Sequence, residues 1–180
     1  MERNTQRYTR LAIVLHWLMA LLIIGMWIVG LLIDEIPKGP LRVTTISWHK
    51  WVGITIMFLW LARSLWRISH RPPELNVQMP AWQTKIMHFT HIALYLLMLT
   101  IPVTGWLMSS AKGYTVNYFG WFELPDLVEP DKALGHTLKE VHELLANSTM
   151  ALIALHIAGA IKHQFIDKDG LLLRMSLRKK

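Results

Sequence analysis

Four long apolar stretches, separated by short polar segments, run along the chain. The predicted membrane spans cover about residues 11–33, 43–65, 86–109 and 141–162. The first is interrupted only by one histidine and two glycines, and a segment of its length crosses about 30 Å of hydrocarbon with some tilt. Prolines lie in the first two connections, between the first three stretches, where they prevent continuous helix. The pattern therefore predicts an all-α fold, a four-helix transmembrane bundle formed by a single domain over residues 1–180.

The longest connection, residues 110–131, mixes glycine, proline, aromatic and acidic residues. This composition predicts a folded loop at the outer surface, with a short interfacial helix within it. The final residues are basic and polar, and Leu171–Leu177 has the pattern of a short amphipathic helix.

Composition agrees with a membrane protein. Hydrophobic residues make up 53% of the chain and charged residues 17%. There is no cysteine, which excludes disulfides, thiolate-held iron–sulfur clusters and the covalent attachment of a c-type haem.

Positive charge is distributed unevenly between the two sides of the predicted bundle. Thirteen of the nineteen Lys and Arg residues lie in the amino terminus, the second connection and the tail. Because cytoplasmic segments carry the excess of Lys and Arg, both termini are predicted to be cytoplasmic and loop 110–131 periplasmic. Topology and contact with anionic lipid account for the net charge of +7, so no nucleic-acid partner is expected.

Six histidines lie within the predicted spans, and four of them form two sets at two depths. His142 and His156 are fourteen residues apart on the last span, which puts both on one helix face and about 21 Å apart along the axis. His16 lies near the cytoplasmic end of the first span and His49 near the outer end of the second. Depth therefore pairs His16 with His156 and His49 with His142. An ionisable residue inside a membrane span marks a functional site by default.

Two imidazoles at each depth suit a six-coordinate haem iron that moves electrons. Zinc fits less well, because zinc sites use three or four protein ligands. The alternative is that these histidines only form hydrogen bonds between helices. Two other histidines, His88 and His91, could replace His16 as a ligand, contact a haem propionate or bind quinone. His163 could serve proton uptake or quinone contact, or could be a solvated histidine at a helix end. Asp167 and Asp169 are predicted to be solvated.

Several short motifs resemble, in their order, the prokaryotic cytochrome b561 family of small bacterial inner-membrane cytochromes. They cover nearly the whole chain: Leu15-His16-Trp17, Ser47-Trp48-His49-Lys50-Trp51-Val52-Gly53, Arg63-x-x-Trp66-Arg67, His88-x-x-His91, Val141-His142-Glu143 and Leu155-His156 with Lys162-His163.

The resemblance implies a multi-pass protein of the bacterial inner membrane with two non-covalent b haems, held by the residues matching His16, His49, His142 and His156. It implies electron exchange with the quinone pool, and the specific expectation is an oxidoreductase that oxidises superoxide and reduces ubiquinone. The alternative is a haem-bearing membrane subunit that anchors a dehydrogenase or a soluble periplasmic redox partner, with loop 110–131 as the docking surface. Membrane lipid is a partner in both cases.

Basic residues at the outer side are candidates for steering a small anion toward the outer histidine pair. Their alternative is ordinary interfacial snorkelling. They are Arg42, Lys50, Lys112 and Lys139.

Overall fold

Four long helices form most of the computed structural model, which describes residues 7–74, 77 and 79–177. They are α1 (Arg10–Ile33), α2 (Pro40–Ser69), α3 (Ala81–Ala111) and α4 (Lys132–Lys162). All four are long and apolar enough to cross a membrane. The predicted all-α, four-helix transmembrane fold is confirmed, and each predicted span lies inside one of these helices.

The helices begin and end at the residues expected to cap or break them. The Thr9 hydroxyl accepts a hydrogen bond from the Ala12 amide at 3.3 Å, and the Asp131 carboxylate accepts from the amides of Ala133 and Leu134. Side chains of this kind satisfy the amides that the first turn of a helix leaves unpaired. Pro40 is the first residue of α2, where its missing amide hydrogen costs nothing.

Helix α1 packs on α2, α2 on α3, and α3 on α4, whereas α1 and α4 touch little along their lengths. The segments that flank α1 and α4 meet at one end of the bundle. The Tyr8 amide donates to the Arg174 carbonyl at 3.3 Å, and the Trp17 indole donates to the Met175 carbonyl at 3.0 Å. Both ends of the described chain therefore lie on the same side, here called the terminal side.

The connection between α3 and α4 contains a hairpin. Strands β1 (Asn117–Tyr118) and β2 (Phe122–Glu123) are antiparallel, with Asn117 opposite Glu123 and Tyr118 opposite Phe122. Phe119 and Gly120 have left-handed φ angles of 51° and 77°. Such angles turn the chain and do not occur in a right-handed helix. The predicted interfacial helix is thus wrong: within the described residues the loop is a hairpin.

This hairpin is held to the bundle by a small apolar cluster. Ile54 of α2 packs with Val116 and Leu124, and all three are buried. The Trp51 indole also donates to the Asn117 carbonyl at 2.5 Å. The loop is therefore an ordered cover over one end of α2.

After α4 the chain makes a single π-helical turn, His163–Asp167, and then a 3₁₀ helix, Leu171–Met175. The second of these occupies the segment predicted to be a short amphipathic helix. Arg174 within it is buried, and its guanidinium donates to the carbonyls of Pro73 and Glu74 at 2.7 and 2.9 Å. The tail therefore closes the terminal side by binding the connection between α2 and α3.

Candidate functional site

The structure brings the four predicted histidines together as two pairs. The ring centroids of His49 on α2 and His142 on α4 are 6.2 Å apart, with 67° between the ring planes. Those of His16 on α1 and His156 on α4 are 6.1 Å apart, with 71° between the planes. Helix α4 thus contributes one imidazole to each pair, the first toward α2 and the second toward α1.

The spacing of each pair can be compared with that of two axial ligands. A bond of about 2.0–2.1 Å from an imidazole nitrogen to a metal puts the centroids of two opposed rings roughly 6.3 Å apart. Both observed separations agree with this distance. The residues present therefore fit a metal held between two imidazoles, and a haem iron is a metal that takes this ligand set.

Hydrogen bonds orient the His142 ring as they would that of a metal ligand. Its Nδ1 atom lies 3.1 Å from the Ile101 carbonyl oxygen and 3.1 Å from the Thr104 hydroxyl. The pair His49/His142 is here called the outer pair and the pair His16/His156, nearer the terminal side, the inner pair. The Nδ1 atom of His49 is buried and has no hydrogen-bond partner among the described residues. An unpaired polar atom in an apolar bundle costs free energy, which favours a function for this imidazole over simple packing.

Two glycines allow the backbone to approach the outer pair closely. A Cβ atom at Gly105 would lie 3.2 Å from Cε1 of His142, and one at Gly30 would lie 3.6 Å from Cε1 of His49. The first distance is shorter than ordinary van der Waals contact, so a larger residue at 105 would displace the imidazole. Neither glycine was singled out from the sequence, since only the folded bundle shows what faces them.

His91 lies beside the inner pair. Its ring centroid is 5.2 Å from that of His156, which is shorter than two axial ligands of one metal require. His16, at 6.1 Å, fits the axial spacing better. His88 lies within electrostatic range of His91. The geometry therefore gives His91 a position at the side of the pair.

Arg63, which belongs to the Arg63-x-x-Trp66-Arg67 motif but was given no role at the predicted site, is a further functional candidate. Its guanidinium donates to the Ala12 carbonyl at 2.9 Å and to the Tyr95 hydroxyl at 3.2 Å. It also lies within electrostatic range of His16 and His156. The sequence does contain an indication of this role: residue 63 lies inside the predicted span 43–65, and a cation inside a membrane span needs a partner.

His163 forms a polar cluster with two aspartates at the terminal side. Its Nδ1 atom lies 2.6 Å from a carboxylate oxygen of Asp169 and 3.2 Å from one of Asp167. Only 12% of the Asp169 side chain is exposed, so its predicted solvation is wrong. The π-helical turn and the left-handed Lys168 fold the chain back here, and spacing alone gave no sign of either.

These three side chains place their ligand atoms within 4.8 Å of one another, close enough to share a metal ion. However, the Lys162 ammonium already binds Asp167, at 2.8 and 2.5 Å from its two oxygens. The cluster is thus an ion-paired network with His163 at its centre.

At the end of the bundle opposite the terminal side, two of the four candidate steering cations form ion pairs. Arg42 and Lys139 each lie 2.7 Å from Asp34, and Lys139 also lies 3.2 Å from Glu143. Lys50 instead donates to the Ser109 hydroxyl at 2.6 Å, and it lines a cavity of about 370 Å³ with residues of the hairpin loop. Lys50 follows His49 directly in α2, so it carries a positive charge near one member of the outer pair, although neither His49 nor His142 lines the cavity.

Comparison with known proteins identifies the architecture. The family model for prokaryotic cytochrome b561 matches residues 7–176. Cytochrome b561 homolog 2 of Escherichia coli (strain K12) is 33% identical over 94% of this chain and 91% of its own length. Cytochrome b561 homolog 1 of the same strain is 30% identical over 97% and 99%. A probable superoxide oxidase, CybB, of Yersinia pestis is also 30% identical, over 97% and 98%.

These matches extend over nearly the whole chain, including all four helices and both histidine pairs. The chain therefore belongs to the prokaryotic cytochrome b561 family and is a multi-pass protein of the bacterial inner membrane that carries out transmembrane electron transfer with b-type haem.

Proposed function

We propose that this protein transfers electrons from superoxide at the outer side of the membrane to ubiquinone, by way of two b haems bound at His49/His142 and His16/His156. The observation that carries the proposal is the presence of two imidazole pairs, each with ring centroids just over 6 Å apart. Helix α4 contributes His142 to one pair and His156 to the other. The terminal side faces the cytoplasm in this proposal, following the excess of Lys and Arg there.

The chain's own residues bind and orient the cofactors. Each pair would hold its haem through two imidazoles from different helices, and the Ile101 carbonyl fixes the ring of His142 through its Nδ1 atom. Haem would supply one-electron chemistry when bound. His142 and His156 are fourteen positions apart in α4, which puts the pairs roughly 21 Å apart along the helix axis. The apolar helices around them exclude water.

At the outer side, Lys50 supports a small anion as the donor. Lys50 lines a cavity beneath the hairpin loop, is adjacent in sequence to His49, and has no carboxylate within ion-pair distance among the described residues. Two superoxide ions give two electrons and leave as two molecules of dioxygen, while ubiquinone takes both electrons and two protons to become ubiquinol. The similarity to the probable superoxide oxidase of Yersinia pestis supports this choice of donor.

At the terminal side, His163 is positioned to supply the protons. Its imidazole is held by Asp169 at 2.6 Å and is 15% exposed. A carboxylate hydrogen-bonded to an imidazole fixes the orientation of the ring. We place quinone reduction near this residue, where a proton taken from the cytoplasm reaches the quinone oxygen through His163.

The test uses the purified chain alone. We expect the reduced-minus-oxidised spectrum to show two six-coordinate b haems per chain, and we expect added superoxide to reduce a soluble ubiquinone analogue. A chain with no haem after expression with adequate haem supply would refute the proposal. Two haems without superoxide-driven quinone reduction would refute the donor while leaving the electron path intact.

A second candidate function is a membrane subunit that receives electrons from a periplasmic redox protein. The hairpin loop favours it, because Trp121 is 79% exposed and Tyr114 65%, and exposed aromatic side chains are enriched at protein interfaces. In this case the chain alone would bind haem but would remain inactive with superoxide. Quinone reduction would appear only when the redox partner is added.

A further inference from the structure

A basic cavity of about 380 Å³ opens at the terminal side, between the start of α1 and the end of α2. It is separate from the proposed paths of superoxide and protons. Four arginines line it, and none of its described lining residues is acidic: Arg7, Arg63, Arg67 and Arg71.

Three of these arginines have no carboxylate partner in the part of the chain that the structure describes. Among the described residues, Arg63, Arg67 and Arg71 form no ion pair with a carboxylate; Arg63 and Arg67 lie against the Tyr95 ring, with guanidinium carbons 6.0 and 5.4 Å from its centroid. Concentrated guanidinium groups repel one another unless an anion lies between them. A cavity built in this way favours an anionic ligand with several oxygens.

Neutral hydrogen-bond donors accompany the arginines. The Thr9 hydroxyl oxygen accepts from the Trp66 indole at 2.8 Å and from the Ala12 amide, so its own hydrogen remains available to a ligand. The Tyr95 hydroxyl accepts from Arg63 and likewise keeps its hydrogen. Both hydroxyls belong to the cavity lining.

The position of the cavity indicates the source of the anion. Its walls are the residues that precede and open α1, the last two turns of α2 with the connection that follows, and Tyr95 of α3. The start of α1 and the end of α2 are the points where two spans leave the hydrocarbon, at the level of the lipid headgroups. Basic pockets between spans on the cytoplasmic side are typical sites for phosphate-bearing lipid headgroups.

We infer that this cavity binds the phosphate headgroup of an anionic phospholipid from the leaflet on the terminal side. A headgroup with two phosphates, as in cardiolipin, would engage guanidinium groups on both α2 and the following connection. Bound lipid would join α1, α2 and the connection, and so stabilise the end of the bundle that contains His16 and His156. This inference does not depend on the identity of the electron donor.

The experiment titrates cardiolipin into the haem-loaded protein in phosphatidylcholine nanodiscs and measures the thermal unfolding midpoint, with native mass spectrometry to count retained lipid. The double variant Arg67→Gln/Arg71→Gln removes two exposed cavity cations. The control, Arg10→Gln/Lys85→Gln, removes two exposed charges from the same end but outside the cavity. We expect saturable stabilisation and one retained cardiolipin in the wild type and the control, and about thirtyfold weaker binding in the double variant.

Three outcomes would overturn the inference. An equal loss in the control would mean that general charge attraction holds the lipid. Stabilisation of the wild type in detergent by inorganic phosphate, to the same extent, would make the cavity a site for free anions. Unchanged lipid binding with a shifted potential of the inner haem would mean that the arginines pair with haem carboxylates instead.

Discussion

The Nδ1 atom of His142 lies 3.1 Å from the main-chain carbonyl oxygen of Ile101, on the neighbouring helix α3. Because a carbonyl oxygen only accepts, His142 is the donor and its Nε2 atom keeps a lone pair for a metal. A backbone carbonyl in this position is common behind metal-bound histidines. The outer pair is therefore oriented by α3, although its two imidazoles come from α2 and α4.

Replacing His142 with alanine should remove the outer haem and leave the inner one. The two pairs share α4 but have no imidazole in common, so the loss should be local. Haem content per chain should fall by half, and a redox titration should show one component where the wild type shows two. The control is His136→Ala, which removes an exposed histidine of the same helix. Equal loss of both haems from a correctly inserted His142→Ala variant would contradict separate sites.

The substitution Gly105→Ala should disturb the outer site without removing a ligand. Its Cβ atom would lie 3.2 Å from Cε1 of His142, so the ring must shift. We expect a changed midpoint potential for one haem and reduced occupancy of that site only. Gly25→Ala is the matched control, because no heavy atom lies within 4 Å of a Cβ there; both gain helix propensity equally. An unchanged potential in Gly105→Ala would show that the imidazole has room to move.

Lys50→Gln should slow the reaction with superoxide. Lys50 is the cation next to the outer pair, and one charge in a cleft raises the arrival rate of an anion by roughly tenfold at low salt. The measurement is the second-order rate constant of superoxide consumption as a function of ionic strength. This rate constant should depend less on ionic strength in the variant than in the wild type. Lys38→Gln, an exposed lysine at the same end, should leave both rate and slope unchanged. An identical slope for Lys50→Gln would argue against steering.

Much of the bundle could be predicted from the sequence because a membrane span must be long, apolar and helical. The same constraint makes depth readable from residue number, which is enough to put His16 level with His156 and His49 level with His142. The pairing could be predicted without knowing on which side of α4 the helices α1 and α2 pack, because one face of α4 carries both His142 and His156. Regular helices therefore made the geometry of the candidate site accessible without coordinates.

Two of the features that sequence reasoning missed depend on irregular backbone. Asp169 reaches His163 only because a π-helical turn and a left-handed residue at 168 reverse the chain. The outer loop forms a hairpin through positive φ angles at 119 and 120. Local periodicity carries no signal for such turns, and the partners they bring together lie outside any helical repeat.

Substituting His163 with glutamine should slow quinone reduction while leaving superoxide-driven haem reduction intact. A positioned acid–base group contributes on the order of a hundredfold to a proton-coupled step. Stopped-flow absorbance separates haem reduction from its reoxidation by ubiquinone, and only the second should slow. Asp169→Asn should have a smaller effect in the same direction, since it removes the group that orients the imidazole. Normal reoxidation in His163→Gln, beside His136→Gln as the control, would exclude His163 from the proton path.

Asp34→Asn should destabilise the outer end of the bundle modestly at neutral pH. Asp34 binds both Arg42 and Lys139 at 2.7 Å, and the hydrogen bond from Lys139 holds the pKa of its carboxyl below the ordinary value of 3.8. A carboxyl with a lowered folded-state pKa stabilises the fold above its unfolded pKa, and this contribution is lost as the pH falls through the folded value.

The loss in Asp34→Asn at pH 7 should be about 0.5–1 kcal/mol, because 47% of the Asp34 side chain is exposed and solvent weakens such pairs. Thermal unfolding of wild type and variant measures it, and the difference should shrink in high salt and again below pH 3.8. Glu35→Gln is the control: this adjacent exposed carboxylate forms no ion pair with the described residues, so its stability should match the wild type. A difference for Asp34→Asn that is constant from neutral to acid pH would mean that the ion pairs do not cause it.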